Sequence, residues 1–94
     1  MKGIAIGLSF KSKEILKRLK KTEFVNEIYI SGSPKNEIGD IDDLQVKKPR
    51  EILLKKWPKI DLIIFIGSIR ASIRIINSFL TSKDQEPGVI VMDN

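Results

Sequence analysis

Asp61 to Gly67, DLIIFIG, is apolar at consecutive positions rather than at alternate ones. A strand with one wetted face alternates apolar and polar residues, so a run like this one requires cover on both faces. Gly3 to Leu8, GIAIGL, is a second such run. A chain of 94 residues has room for one core only. Two strands that both need burial on two sides then point to a mainly parallel sheet with helices above and below it, joined by right-handed crossovers.

The intervening segments fit that scheme. Ser9 to Ser12 offers helix-capping side chains, and from Ser12 to Lys21 the residues Ile15, Leu16 and Leu19 share one helical face while the lysines and Arg18 take the other. Glu27 to Ile30, EIYI, reads as a second strand closed by a turn at Gly32 and Pro34. Ile38 to Lys47 shows no sustained period and reads as a loop. Pro49 opens a helix over Arg50 to Trp57 that Pro58 stops, with Leu53 and Trp57 packing together on the sheet. A third helix runs from Ser68 to Leu80, and Gly88 to Met92 is the last strand. The expected fold is a single α/β domain over residues 1–94, a three-layer Rossmann- or flavodoxin-like unit with a mostly parallel sheet of about four strands. Gly3–Leu8 and Asp61–Gly67 should be its adjacent inner strands.

Composition removes several kinds of chemistry. The chain has no cysteine and no histidine, so thiolate nucleophiles, disulfides, His-ligated metals and a histidine general base are excluded within it. Asp40, Asp42 and Asp43 lack the spacing and the glycine of a calcium loop, and no metal site is expected. There is no G-x-G-x-x-G and no Walker loop to support a nucleotide cofactor. The N-terminus has no small-residue cleavage site, and the run from Leu62 to Leu80 is broken by two arginines. A cytoplasmic protein without a membrane span is the expectation. A net charge of +5 favours an anionic partner without choosing one.

The two arginines give the choice some content. At 100° per residue, Ile69, Ile73, Ile76 and Leu80 line one side of the third helix, Ala71, Ile75 and Phe79 widen the apolar surface, and Arg70, Arg74, Asn77 and Ser78 share a polar arc. Most of this helix is expected to be buried. Arg70 sits in the first turn, where the helix dipole disfavours a cation and favours an anion. A bound carboxylate or phosphate would reverse that conflict, held by helix amides, the Ser68 hydroxyl and bidentate guanidinium contacts. Solvated arginines, or arginines paired with Asp or Glu, are the plainer account of the same stripe.

Phe65 to Asn94, FIGSIRASIRIINSFLTSKDQEPGVIVMDN, resembles the end of the N-terminal domain of the CbiG family, the cobalt-precorrin-5A hydrolases of anaerobic cobalamin synthesis. That family typically reads F-I-x-A-x-G-I-x-V-R, then a helix, then K-x-x-D-P-A-V-V-V-x-D-E. Arg74 falls on the family arginine, Lys83 on its lysine, Glu86-Pro87 on its D-P and Asp93 on its aspartate. IAIGLSFKSKEILKRL resembles the family's first strand and L-x-x-R-L helix, and KIDLIIFIG its Y-D-x-x-V-F-I segment. Arg70 stands where the family usually has glycine and Ser68 where it has alanine. The family's G-H-x-G-G-A-N segment is absent, so the chain is expected to be the N-terminal domain of a longer protein.

The resemblance implies opening of a δ-lactone on a cobalt-corrinoid precursor with release of acetaldehyde, the isolated chain lacking full activity. It implies no cofactor of the protein's own, because cobalt travels with the substrate. Ser9, Ser68, Arg70, Arg74 and Asp93 are the candidate substrate-binding residues, with no catalytic residue assigned, and the missing C-terminal domains or a partner subunit would complete the site. Two other readings stand beside this one. The basic first helix suggests a nucleic-acid-binding module, but no aromatic residues interleave the lysines for base stacking, so nucleic acid is not expected. A subunit-contact domain with no ligand of its own is the other.

Overall fold

The elements follow one another as strand and helix through the chain. β1 (Gly3–Gly7) leads through a 3-10 turn at Phe10–Ser12 into α1 (Lys13–Lys20) and then β2 (Glu27–Ile30). β3 (Leu44–Val46) precedes α2 (Pro49–Lys56), a 3-10 turn at Trp57–Lys59, and β4 (Leu62–Ile66). α3 (Ile69–Ile76) and β5 (Gly88–Met92) close the order. This is a computed structural model, and its described residues are 2–31, 44–79 and 87–93. The expected turn at Gly32 and Pro34, the aspartates at 40, 42 and 43, Leu80, Lys83 and Glu86 lie outside them.

All pairings are parallel, in the order β3-β2-β1-β4-β5. β1 and β4 are neighbours in the middle, in register from Gly3 opposite Leu62 to Gly7 opposite Ile66. The expected class and the expected inner pair are both present. The sheet has five strands because Leu44–Val46, within the stretch read as a loop, pairs with β2. Three residues are too few to show a period, so this edge strand exists through its pairing with β2 rather than through any local pattern.

The period of two sends alternate residues of the central strands into two cores. Ile4, Ile6, Tyr29, Ile63 and Phe65 meet Ile52, Leu53 and Trp57 of the α2 region and Ile76 of α3. Ala5, Ile28, Ile30, Ile64 and Ile66 meet Leu16 of α1 on the opposite face. Trp57 belongs to the core, as expected, and its ring lies 5.5 Å from that of Phe79 at an interplanar angle of 32°. α1 therefore covers one face, and α2 and α3 the other.

Two local expectations need correction. Ser12 does not cap α1 with its side chain; it is buried and its hydroxyl donates to the Ser9 carbonyl at 2.6 Å. Its own backbone is already helical, and a capping hydroxyl needs an extended residue there. The third helix is also far less buried than its apolar arc implied: Ser72 and Ile76 are buried, whereas Ile69 and Ile73 are about half exposed. Its contacts with the sheet centre on the Ser72–Ile76 line, which leaves the Ile69–Ile73 line turned aside. Among the described residues, no helix is long and apolar enough to cross a membrane.

Candidate functional site

β1 sends its chain through α1 to β2 on one side, and β4 sends its chain through α3 to β5 on the other. The strand order thus reverses between β1 and β4, and in open parallel sheets the crevice beyond the carboxyl ends at such a reversal is the usual ligand position. The backbones stay paired up to that end of the sheet. The Leu8 N–H donates to the Ile66 carbonyl at 2.9 Å and the Gly67 N–H to the Met92 carbonyl at 2.9 Å.

Glycines make this approach possible. A Cβ on Gly67 would stand 2.9 Å from the Cβ of Leu8, and one on Gly7 only 1.9 Å from the Ser12 hydroxyl oxygen. Ser12 consequently fits beneath the end of β1, and its backbone N–H also donates to the Ser9 carbonyl at 3.1 Å. The turn carrying Ser9 is fixed by two bonds to one carbonyl.

Ser68, following β4, has extended backbone and is the N-cap of α3; its hydroxyl oxygen accepts from the Ala71 N–H at 3.1 Å. That bond satisfies one of the free amides of the first turn and leaves the Ser68 O–H able to donate. The Ser68 carbonyl accepts from the buried Ser72 hydroxyl at 2.9 Å. Ser9 and Ser68 thus stand at the ends of adjacent strands, and Asp93, just past β5, is exposed at the same end of the sheet.

The arginines are placed differently from one another. Arg70 lies in the first turn of α3, and Arg74 one turn farther from the crevice. At 100° per residue both fall opposite the Ser72–Ile76 line that meets the sheet, so the polar arc faces away from the core. Both are exposed and neither forms an ion pair with another described residue. Lys47 and Lys48, exposed just after β3, also stand at the carboxyl edge. They escaped the sequence reading because the strand that delivers them there did.

The two ends of the sheet use their polar side chains in opposite ways. At the amino end, Asp61 accepts from the Lys2 N–H at 2.8 Å and Asn26 from the Gly3 N–H at 2.9 Å. Glu27 accepts from Tyr29 and pairs with Lys56 at 2.8 Å. Burial pushes the Glu27 carboxyl up, but the Lys56 and Tyr29 hydrogen bonds and the Lys56 and Lys2 charges outweigh it and hold the group below its ordinary 4.5. Burial, with the Glu27 hydrogen bond and charge, raises the Tyr29 phenol. At the carboxyl end, the Ser9, Arg70, Arg74 and Asp93 side chains have no partner among the described residues.

An open cavity of about 350 Å³ lies elsewhere, between Leu19, Thr22 and Phe24 and the β4–β5 residues Leu62, Ile64 and Ile90. Its one polar side chain, Thr22, donates inward to the Leu19 carbonyl at 2.7 Å. The cavity offers apolar surface and no recognition group, whereas the carboxyl end of the sheet presents donors, cations and a carboxylate.

The fold defines a doubly wound α/β domain whose carboxyl end carries the Ser9 and Ser68 hydroxyls, exposed cations and the Asp93 carboxylate. Residues 51–94, just under half of the chain, match the family model described as Cobalamin synthesis G N-terminal. The matched stretch runs from within α2 through β4, α3 and β5, including Ser68, both arginines and Asp93. Comparison with curated proteins and with solved structures gave no significant match.

Proposed function

We propose that this chain serves as the N-terminal domain of a cobalt-precorrin-5A hydrolase, contributing substrate contacts to an enzyme that opens a δ-lactone and releases acetaldehyde. The family match over residues 51–94 carries this reading. Such a substrate is a large apolar disc rimmed by carboxylates, and its cobalt arrives with it. Carboxylates at the rim suit the crevice mouth: the free N–H groups of the α3 first turn, the Ser68 O–H and the Arg70 guanidinium all donate. Lactone opening adds water across the ester carbonyl, so the reaction needs a proton acceptor for the water and donors for the developing oxyanion. Asp93 is the candidate acceptor within this chain, and the Ser9 and Ser68 hydroxyls are the candidate donors. This chain itself has no histidine or cysteine for either role.

Arg70 lies nearer the crevice than Arg74, although Arg74 is the one that matches the family pattern. The test is titration of a carboxylate-rich corrinoid into the unaltered chain, Arg70→Ala and Arg74→Ala at matched low salt, with folding followed by Trp57 fluorescence. Losing a charge-assisted contact costs about 1.5 to 3 kcal/mol, or roughly tenfold to hundredfold in affinity. Arg70→Ala is expected to show that loss and Arg74→Ala a smaller one. Equal affinity for all three proteins would remove the arginines from substrate binding.

A further inference from the structure

We propose that the chain forms a two-fold symmetric dimer in which β5 pairs antiparallel with β5 of a second copy, extending the sheet across the axis. The backbone sets up the pairing. The Gly88 N–H donates to the Asp61 carbonyl at 2.9 Å and the Met92 carbonyl accepts from Gly67 at 2.9 Å, so the backbone groups of Gly88, Ile90 and Met92 are directed to β4. In a parallel ladder the intervening residues then direct theirs outward. The N–H and C=O groups of Val89 and Val91 face away from the sheet, and among the described residues no strand pairs with that edge.

Edges of this kind are normally blunted by charge, proline or a bulge. GVIVM has none of them. Apolar surface gathers around the same edge: Val89 is 38% exposed, Ile90 47% and Met92 37%. On α3, Ile69 is 55% and Ile73 49% exposed. Ile75 marks the side of α3 that faces the α2 region, since it packs against the core cluster that holds Ile52, Leu53 and Trp57, and Phe79, just past the helix, lies against Trp57 there as well. Ile69 and Ile73 lie on the other flank of the buried Ser72–Ile76 line, the flank nearer the β5 edge. Five of the seven large apolar side chains exposed among the described residues therefore belong to one border of the molecule.

The sequence of β5 is complementary to itself in one register. With the axis at Ile90, Val89 and Val91 of one copy face Val91 and Val89 of the other, and each outward N–H meets an outward C=O. Ile90 meets Ile90, and Gly88 lies opposite Met92. Gly88 needs no such explanation within one chain, because a Cβ there would find nothing closer than 3.7 Å and its φ is not in the left-handed region. In the dimer its missing side chain leaves room for the methionine. The five exposed side chains present on the order of 500 Å² per copy, so two copies bury roughly 1,000 Å², where specific interfaces begin.

The chain has no cysteine, which permits a clean test. At a non-hydrogen-bonded antiparallel pair the Cα atoms are about 4.5 Å apart, within disulfide reach. Oxidised Ile90→Cys is expected to give a covalent dimer, and Leu54→Cys, on exposed α2 surface, is not. Sedimentation equilibrium of the unaltered chain over roughly 1 to 100 µM is expected to show a two-copy species. Val89→Pro removes an outward N–H without touching the β4 ladder and should raise the dissociation constant at least about tenfold, with unchanged circular dichroism. Ile73→Lys should do the same through the α3 flank, and it decides the matter should Val89→Pro not fold. A single-copy species throughout the range overturns the proposal. So does a dimer that fails to cross-link at Ile90 or that withstands Val89→Pro or Ile73→Lys.

Discussion

β4 and β5 are adjacent five-residue strands, LIIFI and GVIVM, with nearly the same apolar character and parallel pairing between them. Ile63 to Ile66 are buried, whereas every residue of β5 is at least partly exposed. The difference comes from neighbours. β4 has β1 on its other side and a core on each face; among the described residues, β5 has one strand partner and α3 on one face. Hydrophobicity along the chain therefore identifies a strand, and sheet order decides what the strand contributes to stability.

Register-matched substitutions can break this comparison. Phe65 and Val91 are partners in the β4–β5 ladder and belong to the same core, Phe65 buried completely and Val91 partly. Phe65→Ala is expected to cost about 3 to 5 kcal/mol, through lost transfer energy and the cavity left behind. Val91→Ala should cost about 1 kcal/mol, close to one or two partly buried methyl groups. Urea unfolding followed by Trp57 fluorescence measures both. Equal costs would mean that β5 is as much a part of the core as β4.

A smaller effect is expected on the opposite face, where Ile64 and Ile90 are partners. Ile64 is 5% exposed and Ile90 47%. Ile64→Ala should cost about 2 to 4 kcal/mol. At concentrations low enough for a single copy, Ile90→Ala should cost less than about 1 kcal/mol. A large loss in Ile90→Ala under those conditions would show that β5 supports the monomer through that face.

The smallest effect concerns the other strand that flanks the central pair. β2 carries charge into the sheet through Glu27, which Lys56 and Tyr29 hold, while β5 carries none. The Glu27 carboxyl titrates lower in the folded chain than in the unfolded one, so its contribution is complete above about 4.5 and is lost as pH falls through the folded value. The pair is partly exposed, and less than about 1 kcal/mol is expected from it. Acid titration of stability should accordingly be shallower in Glu27→Gln than in the unaltered chain over the range below 4.5. An unchanged slope would assign the acid sensitivity to other carboxylates.

Much of this architecture is written in local pattern, and the exceptions share a cause. Gly3–Leu8 and Asp61–Gly67 were legible because a both-faces-buried strand leaves a continuous apolar run. Leu44–Val46 was not legible, since three residues carry no period and the pairing with β2 that makes them a strand is non-local. The half exposure of Ile69 and Ile73 was hidden for a related reason: helical spacing defines an apolar arc but not the angle at which the sheet meets it. The crevice followed from topology, because carboxyl ends at an order reversal can be inferred once the strands are known. The direction of the arginine arc could not be, as it depends on how α3 rolls on its neighbours.

Under the proposed function, the small space beneath Gly7 also bears on how fast the carboxyl end of the sheet can capture substrate. Ser12 occupies that space and ties the Ser9 carbonyl by both its amide and its hydroxyl. The Ser9 turn therefore loses its conformational freedom when the chain folds rather than when a ligand arrives. Capture at that wall is expected to proceed at the rate of encounter, with a single kinetic phase and little dependence on solvent viscosity beyond diffusion itself. Gly7→Ala, by displacing Ser12, would turn the same wall into a slow, two-phase binder.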